Sequence, residues 1–151
     1  MLFDRVDYLI LRELTENSRI SLKDLSKRVS MSSPSVSERL RRLEERGVIR
    51  SYTVDLDPLP LGYSLQAIVR IKPFAGMLKA MQQLIIDTPE ITECDKVTGE
   101  DCFICRLQLR SMAQLDEILD NFGDKAETNT SIVKSSPVRR RLPPLRTEVA
   151  G

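Results

Sequence analysis

The chain reads as an α+β protein, an N-terminal winged helix-turn-helix followed by a C-terminal ferredoxin-like βαββαβ domain. Three observations predict this. Three short amphipathic helical patterns and then an apolar, β-branched run fill the first 54 residues. The next nine, Asp-Leu-Asp-Pro-Leu-Pro-Leu-Gly-Tyr at 55–63, hold two prolines and a glycine and break the pattern. Beyond them the apolar spacing switches between two and about 3.6 residues in the order strand, helix, strand, strand, helix, strand. The expected division is therefore a DNA-binding-type unit at 1–54, a linker at 55–63, a ferredoxin-like unit at 64–136 and a basic, proline-rich tail at 137–151.

The first helix is expected from about Asp4 to Glu16, with Val6, Leu9, Ile10 and Leu14 on one face. Asp4 is its N-cap, Asp7 adds negative charge where the helix dipole favours it, and Asn17-Ser18 closes it. The second helix begins at Ser21, whose spacing to Asp24 resembles a capping box, and ends near Ser30. The third has Ser33 as cap, Pro34 at the first helical position and Gly47 in the left-handed position after its end. Val36, Leu40 and Leu43 face inward, which turns Glu38, Arg41, Arg42 and Glu45 outward and leaves Ser35 and Ser37 near the N-terminal end. The tight Met31-Ser32 connection makes the last two helices a helix-turn-helix, and residues 48–54 are expected to form a strand, a small wing beside the helices from which Arg50 and Tyr52 reach a nucleic-acid backbone.

That chemistry suits double-stranded DNA. Small hydroxyl residues at the start of a recognition helix permit close approach to base edges, and arginines further along reach guanine or phosphate. The residues expected to contact DNA are Ser32, Ser33, Ser35, Ser37, Glu38, Arg39, Arg41, Arg42 and Arg50. The bland alternative is an Arg/Glu-rich solvated face laced with i,i+4 pairs. Three short helices, serine-proline punctuation and a following strand in sequence weigh against it.

In the second part, Leu65, Ala67, Val69 and Ile71 alternate with Ser64, Gln66, Ile68 and Arg70 as a strand. Met77, Met81, Leu84 and Ile85 follow at helical spacing, and Thr88-Pro89 stops that helix. Strands are expected at 91–98 and 102–109 around a Gly99-Glu100-Asp101 turn. A helix then opens at Ser111-x-x-Gln114 and ends at Gly123, burying Leu115, Ile118, Leu119 and Phe122, and a last strand spans 128–135. Two helices cover one face of the sheet. The other face, expected to carry Ile68, Ile104 and Ile132, predicts a homodimer built through this domain.

Composition narrows the function. The chain has 151 residues, 23 basic and 22 acidic side chains, and no histidine, which removes the commonest general base and metal ligand. No nucleophile–base pair, phosphate-binding glycine loop or clustered carboxylate site stands out, so an enzyme, a metal site and a cofactor are not expected. No apolar run approaches the ~20 residues that span a bilayer, and no signal peptide opens the chain, so a cytoplasmic location follows by default. Residues 1–55 carry 11 basic and 9 acidic side chains, whereas 56–136 carry 8 and 12. The first part can therefore meet phosphate more readily than the second. Cys94, Cys102 and Cys105 are an odd set without an export signal, which argues against a disulfide framework. Cys102 and Cys105 form a CxxC, but strand residues three apart point to opposite faces, so packing is the favoured reading; Met77, Met81 and Met112 likewise read as core filling.

Taken together, the motifs resemble the Lrp/AsnC, or feast/famine, transcription regulators over nearly the whole chain. The matching pieces are Leu9-Ile10-Leu11-x-x-Leu14 with Asn17-Ser18-Arg19, Ser21-x-x-Asp24-Leu25-Ser26, and Ser33-Pro34-Ser35-Val36-Ser37-x-Arg39-Leu40-x-x-Leu43-Glu44-x-x-Gly47-Val48-Ile49. Tyr52-Thr53, Leu61-Gly62 and Val97-Thr98-Gly99-Glu100-Asp101 complete the match. The resemblance implies dimers through the second domain, higher assembly such as an octamer, and a small amino-acid effector bound between dimers near the glycine turn. Carried onto this chain, that turn is Thr98, Gly99, Glu100, Asp101 and Cys102. One position departs: family members often carry aspartate three residues after the glycine, where this chain has Cys102, with its acid one earlier at Asp101. Two other readings compete, an architectural DNA-wrapping protein without an effector and a metabolite-binding regulatory subunit whose helices serve only as an interface.

Overall fold

The computed structural model describes residues 3–145. The chain divides into two compact units: one runs to Asp55 and is joined by the segment from Arg140, and the other spans Leu56–Arg139.

The first unit holds α1 (Arg5–Glu16), α2 (Leu22–Arg28) and α3 (Ser33–Glu45). Each starts on a side chain that satisfies orphan amides. Asp4 Oδ1 accepts from the Val6 and Asp7 N–H groups, and the Asp7 carboxylate accepts from the Asp4 N–H at 3.1 Å, a reciprocal capping box. Ser21 Oγ accepts from the Asp24 N–H at 3.1 Å and donates to its carboxylate at 2.7 Å. The cap of α3 is Ser32, one residue before the expected Ser33, and its Oγ accepts from the Ser35 N–H. Pro34 is thereby in the first turn but not at its first position.

Both later helices end in the same way. After α2, Ser30 takes a left-handed φ of 55°, its N–H bonds the Lys27 carbonyl, and the Met31 N–H bonds the Ser26 carbonyl at 3.0 Å. After α3, Gly47 at φ 68° repeats this with Glu44 and, through Val48, with Leu43. Ile10, Leu25, Val29, Val36 and Leu43 make the core, with Val6, Leu9, Leu14, Leu40 and Ile49 packed against it.

The expected wing strand is absent: residues 50–57 carry no regular secondary structure. The Val48 and Ile49 amides are taken by the Leu43 carbonyl as part of the helix ending, and among the described residues no second strand pairs with the rest. A strand needs a neighbour, and β-branched composition cannot supply one.

The second unit is a four-stranded antiparallel sheet in the order β2-β3-β1-β4, with β1 at Leu65–Pro73, β2 at Ile91–Lys96, β3 at Phe103–Leu109 and β4 at Ala126–Ile132. Helices α4 (Leu78–Ile86) and α5 (Met112–Phe122) join them in the expected βαββαβ order. Ala67, Val69, Ile71, Phe103, Cys105, Leu107 and Leu109 meet Met81, Ile85, Leu115, Ile118 and Phe122 in one core. Ser111 caps α5 through the Gln114 N–H, while the Gln114 side chain accepts from the Arg110 N–H instead of closing the box. Gly123 ends α5 at an ordinary φ of −62°, not in the left-handed region.

Strand β4 begins two residues earlier than expected, and its register changes one conclusion. Ile132 pairs directly with Ala67, so it lies on the helix-covered side, not with Ile68 and Ile104 on the open face. Paired residues share a face. The open face therefore presents Gln66, Arg70, Arg106, Gln108, Asn129 and Ser131 around two isoleucines, with Arg70 Nη2 donating to Asn129 at 3.2 Å and Glu93 lying 3.9 Å from Arg106. The expected apolar face is mostly polar. Of the tail, residues 137–145 carry no helix or strand and are exposed; the remainder of that expectation, 146–151, lies outside the described residues.

Candidate nucleic-acid interface and effector turn

The local sequence of α3 decides what it shows to solvent. Its buried stripe, Val36 and Leu43 with half-buried Leu40, locks the helix onto α1 and α2. Ser26 on α2, itself 5% exposed, donates to the Leu22 carbonyl and sits 3.2 Å from Ser33 Oγ, tying the turn between the two helices. Ser32 and Ser35 share a hydroxyl contact of 2.8 Å at the helix start, and Ser37 is exposed one turn on. This end combines free-edge hydroxyls with the partial positive charge of a helix N-terminus, an arrangement that accepts phosphate or a base-edge acceptor.

The arginines divide into two kinds. Arg41 is exposed and chelated by its own helix: Nε and Nη2 donate to the two Glu38 oxygens at 3.1 and 2.7 Å, and Nη1 donates to Glu45. These carboxylates raise the Arg41 guanidinium further, with Glu38 the main cause, and Arg41 in turn holds Glu38 below the usual carboxylate range. Arg42 and Arg50 are exposed.

Arg39 behaves differently and corrects the expectation that it faces DNA. Its guanidinium turns onto the start of α1, Nη1 lying 2.7 Å from both Asp7 Oδ1 and Asp4 Oδ2. Its side chain is 18% exposed and that of Asp7 13%. The Asp7 bond, then the Asp4 bond, raise its pKa, so it stays charged as an interhelix clamp. The reason is geometric: Arg39 precedes Leu40 on the edge of the buried stripe, within reach of the α1 capping box. Tyr52, expected beside the DNA backbone, donates to Glu44 at 2.9 Å; desolvation first and this carboxylate second push its hydroxyl up to about 12.

The turn between β2 and β3 is a tight hairpin closed by the Val97 N–H on the Cys102 carbonyl at 2.8 Å. Gly99 sits at φ 114°, a conformation L side chains rarely adopt. Thr98, Gly99 and Glu100 are exposed, Asp101 and Cys102 half-buried, and Glu100 lies 3.5 Å from Lys72 on β1. In a single chain the turn is open to solvent on its outer side. Cys102 Sγ lies near the Glu100 carbonyl at 4.0 Å, whereas Cys105 Sγ lies 3.3 Å from Cys94 Sγ across the strands. Cys102 and Cys105 thus have different neighbours, as the two-residue period of a strand predicts for positions three apart. The 94–105 partnership depends on the strand register that the hairpin between them sets.

A capped reading helix on a three-helix unit, followed by a βαββαβ unit with an exposed glycine turn, defines the class of two-domain DNA-binding regulators. Residues 3–50 match the family described as winged helix-turn-helix DNA-binding, and residues 66–143 match the Lrp/AsnC ligand binding domain. The chain belongs to the Lrp/AsnC family and is a DNA-binding transcription regulator. It is 29% identical over 135 residues to the transcriptional regulator LrpC of Bacillus subtilis, covering 89% of this chain and 94% of that one. It is 30% identical over 120 residues to the regulator FL11 of Pyrococcus horikoshii, 80% of each chain. Among solved structures, B. subtilis LrpC superposes with a TM-score of 0.86 at 28% identity, covering 93% of this chain and all of the other. The Neisseria meningitidis regulator NMB0573, solved as a complex with L-methionine, superposes with 0.87 at 26% identity, covering 95% and 97%. Among the described residues no helix is long and apolar enough to cross a membrane.

Proposed function

We propose that this regulator reads its operator with the outer face of α3 and responds to a small amino acid held at the glycine turn. The observation that carries the DNA half is the outer face of α3, with Ser32 and Ser37 exposed near its start and Arg42 exposed further along, away from the buried Val36–Leu43 stripe. Ser32, Ser35 and Ser37 approach base edges. Arg42 and Arg50 meet phosphate, and Arg41 exchanges Glu38 or Glu45 for DNA. Ser33, bonded to Ser26, and Arg39, bonded to Asp4 and Asp7, fasten α3 to its neighbouring helices and do not meet DNA.

Arg41 already answers two carboxylates, so one copy of α3 offers little net positive charge. Useful affinity then requires two heads in register about one helical turn, ~34 Å, apart, which is the work of a homodimer. Further association, up to an octamer, would enclose the exposed turn against a second copy.

For the effector, support comes from the ligand-binding family match and from relatives solved with L-methionine. In this chain Cys102 cannot pair with an ammonium group, so Asp101 takes that role, with Thr98 and the Gly99 and Glu100 backbone on the carboxylate side. A thermal-shift panel of the amino acids tests this, since a ligand at 100 times its Kd adds ~2.7 kcal/mol of stability. A shift abolished by Asp101→Asn is expected; no shift with any amino acid refutes the effector reading and leaves an architectural role.

A further inference from the structure

We propose that Cys94 and Cys105 are an oxidation-sensitive pair that closes into a reversible cross-strand disulfide, stapling the hairpin that carries the 98–102 turn. The two residues face each other directly in the β2–β3 register, with Sγ atoms 3.3 Å apart. The ladder pattern makes this the favourable kind of pair. The Val97 N–H bonds the Cys102 carbonyl, which marks 97/102 as a hydrogen-bonded pair. Alternation then makes 96/103 non-bonded, 95/104 bonded and 94/105 non-bonded, the kind of site where opposed side chains come closest. Bond formation asks the sulfurs to move little more than ~1 Å, from contact to the ~2.05 Å of an S–S bond.

The two sulfurs are unequal in a way that assigns roles. Cys94 is exposed on edge strand β2, whereas Cys105 is fully buried in the sheet core. Burial, with the neighbouring Cys94 adding to it, pushes the Cys105 thiol well above its usual range, so it does not meet oxidant first. The oxidant is a peroxide. The Cys94 thiolate attacks one peroxide oxygen, an S–O bond forms, the O–O bond breaks and hydroxide leaves. The Cys105 sulfur then attacks the Cys94 sulfenic sulfur; the S–S bond forms, the S–O bond breaks, and the displaced hydroxyl departs with the Cys105 proton as water. Two thiols are oxidised by two electrons and one hydrogen peroxide becomes two waters. The preformed contact offsets the weak nucleophilicity of a buried thiol. A thiol partner reverses the bond by exchange at the exposed Cys94 side.

Cys102 provides the internal control. It lies outside β3, against the Glu100 carbonyl, and is not opposed to either of the other two. The chain is treated with hydrogen peroxide, quenched with N-ethylmaleimide and mapped without reduction. Tryptic cleavage after Lys96 separates Cys94 from the peptide holding Cys102 and Cys105. The expected product has lost two hydrogens, joins those two peptides within one chain and is reversed by dithiothreitol. It persists in Cys102→Ser and vanishes in Cys94→Ser, both changes at positions that are not fully buried. Amides of 96–103 exchange more slowly in the oxidised chain. A link through Cys102, a link between chains, accumulation of Cys94 sulfinic acid with Cys105 still alkylatable, or equal exchange in both forms would overturn the proposal.

Discussion

The helical unit and the sheet unit are held together by different means. The sheet unit buries thirteen apolar side chains in one cluster, the helical unit five. A unit of some fifty residues buries too little surface to rest on its core alone. The helical unit makes up the difference with polar geometry: reciprocal caps on α1, the Arg39 clamp, the Ser26–Ser33 contact and two left-handed helix endings. Charge therefore serves two purposes in this unit: Arg39 holds α3 to α1, while Arg42 and Arg50 stand exposed.

That contrast can be broken from either side. The largest effect is expected from Phe103→Ala, which empties the sheet core of a fully buried ring and costs ~3–5 kcal/mol. Hydrogen exchange resolved by peptide should show the loss in residues 65–132 and leave 5–45 unchanged. Arg39→Ala is expected to cost ~1–2 kcal/mol, between a surface pair and a buried one, and to loosen α1 and α3. Its DNA affinity, measured well below its melting temperature, should remain within a few-fold of wild type, because the side chain faces α1.

The start of α1 also responds to acid. The Asp7 backbone N–H, and then Arg39, hold the Asp4 carboxyl below its usual 3.8. A depressed folded pKa means stability that is present above the unfolded value and is lost as pH falls through the folded one. The gap in unfolding midpoint between wild type and Arg39→Ala should therefore be full at pH 6 and shrink as the pH is taken below 3.8. The smallest effect is a gain. Ser30 pays the steric cost of a left-handed residue, so Ser30→Gly should raise the stability of the helical unit by ~0.5–1 kcal/mol, read by chemical denaturation.

What could be read in the sequence follows the same divide between local and distant causes. The caps at Asp4, Ser21 and Ser111 and the Gly47 ending act over three to five residues, so spacing alone reveals them. The apolar periods of α3, β1 and α5 are equally local, and they place the reading helix and the sheet core correctly. Spacing within α3 cannot reveal the role of Arg39, because its partners Asp4 and Asp7 lie more than thirty residues away. The face of Ile132 depends on its register against β1, which no local pattern encodes. The wing failed for a related reason, since a strand is defined by its neighbour. The Cys94–Cys105 contact is likewise a product of register.

In the proposed division the outward arginines of α3 meet DNA, and the inward Arg39 only holds the helix to α1. The most direct measurement is the affinity of Arg41→Ala/Arg42→Ala for operator DNA at fixed salt, beside Arg39→Ala, with folding of each checked by circular dichroism. At least a tenfold loss and a shallower salt dependence are expected for the double variant, with little change for Arg39→Ala. Wild-type affinity in the double variant, or selective loss in a folded Arg39→Ala, would contradict it.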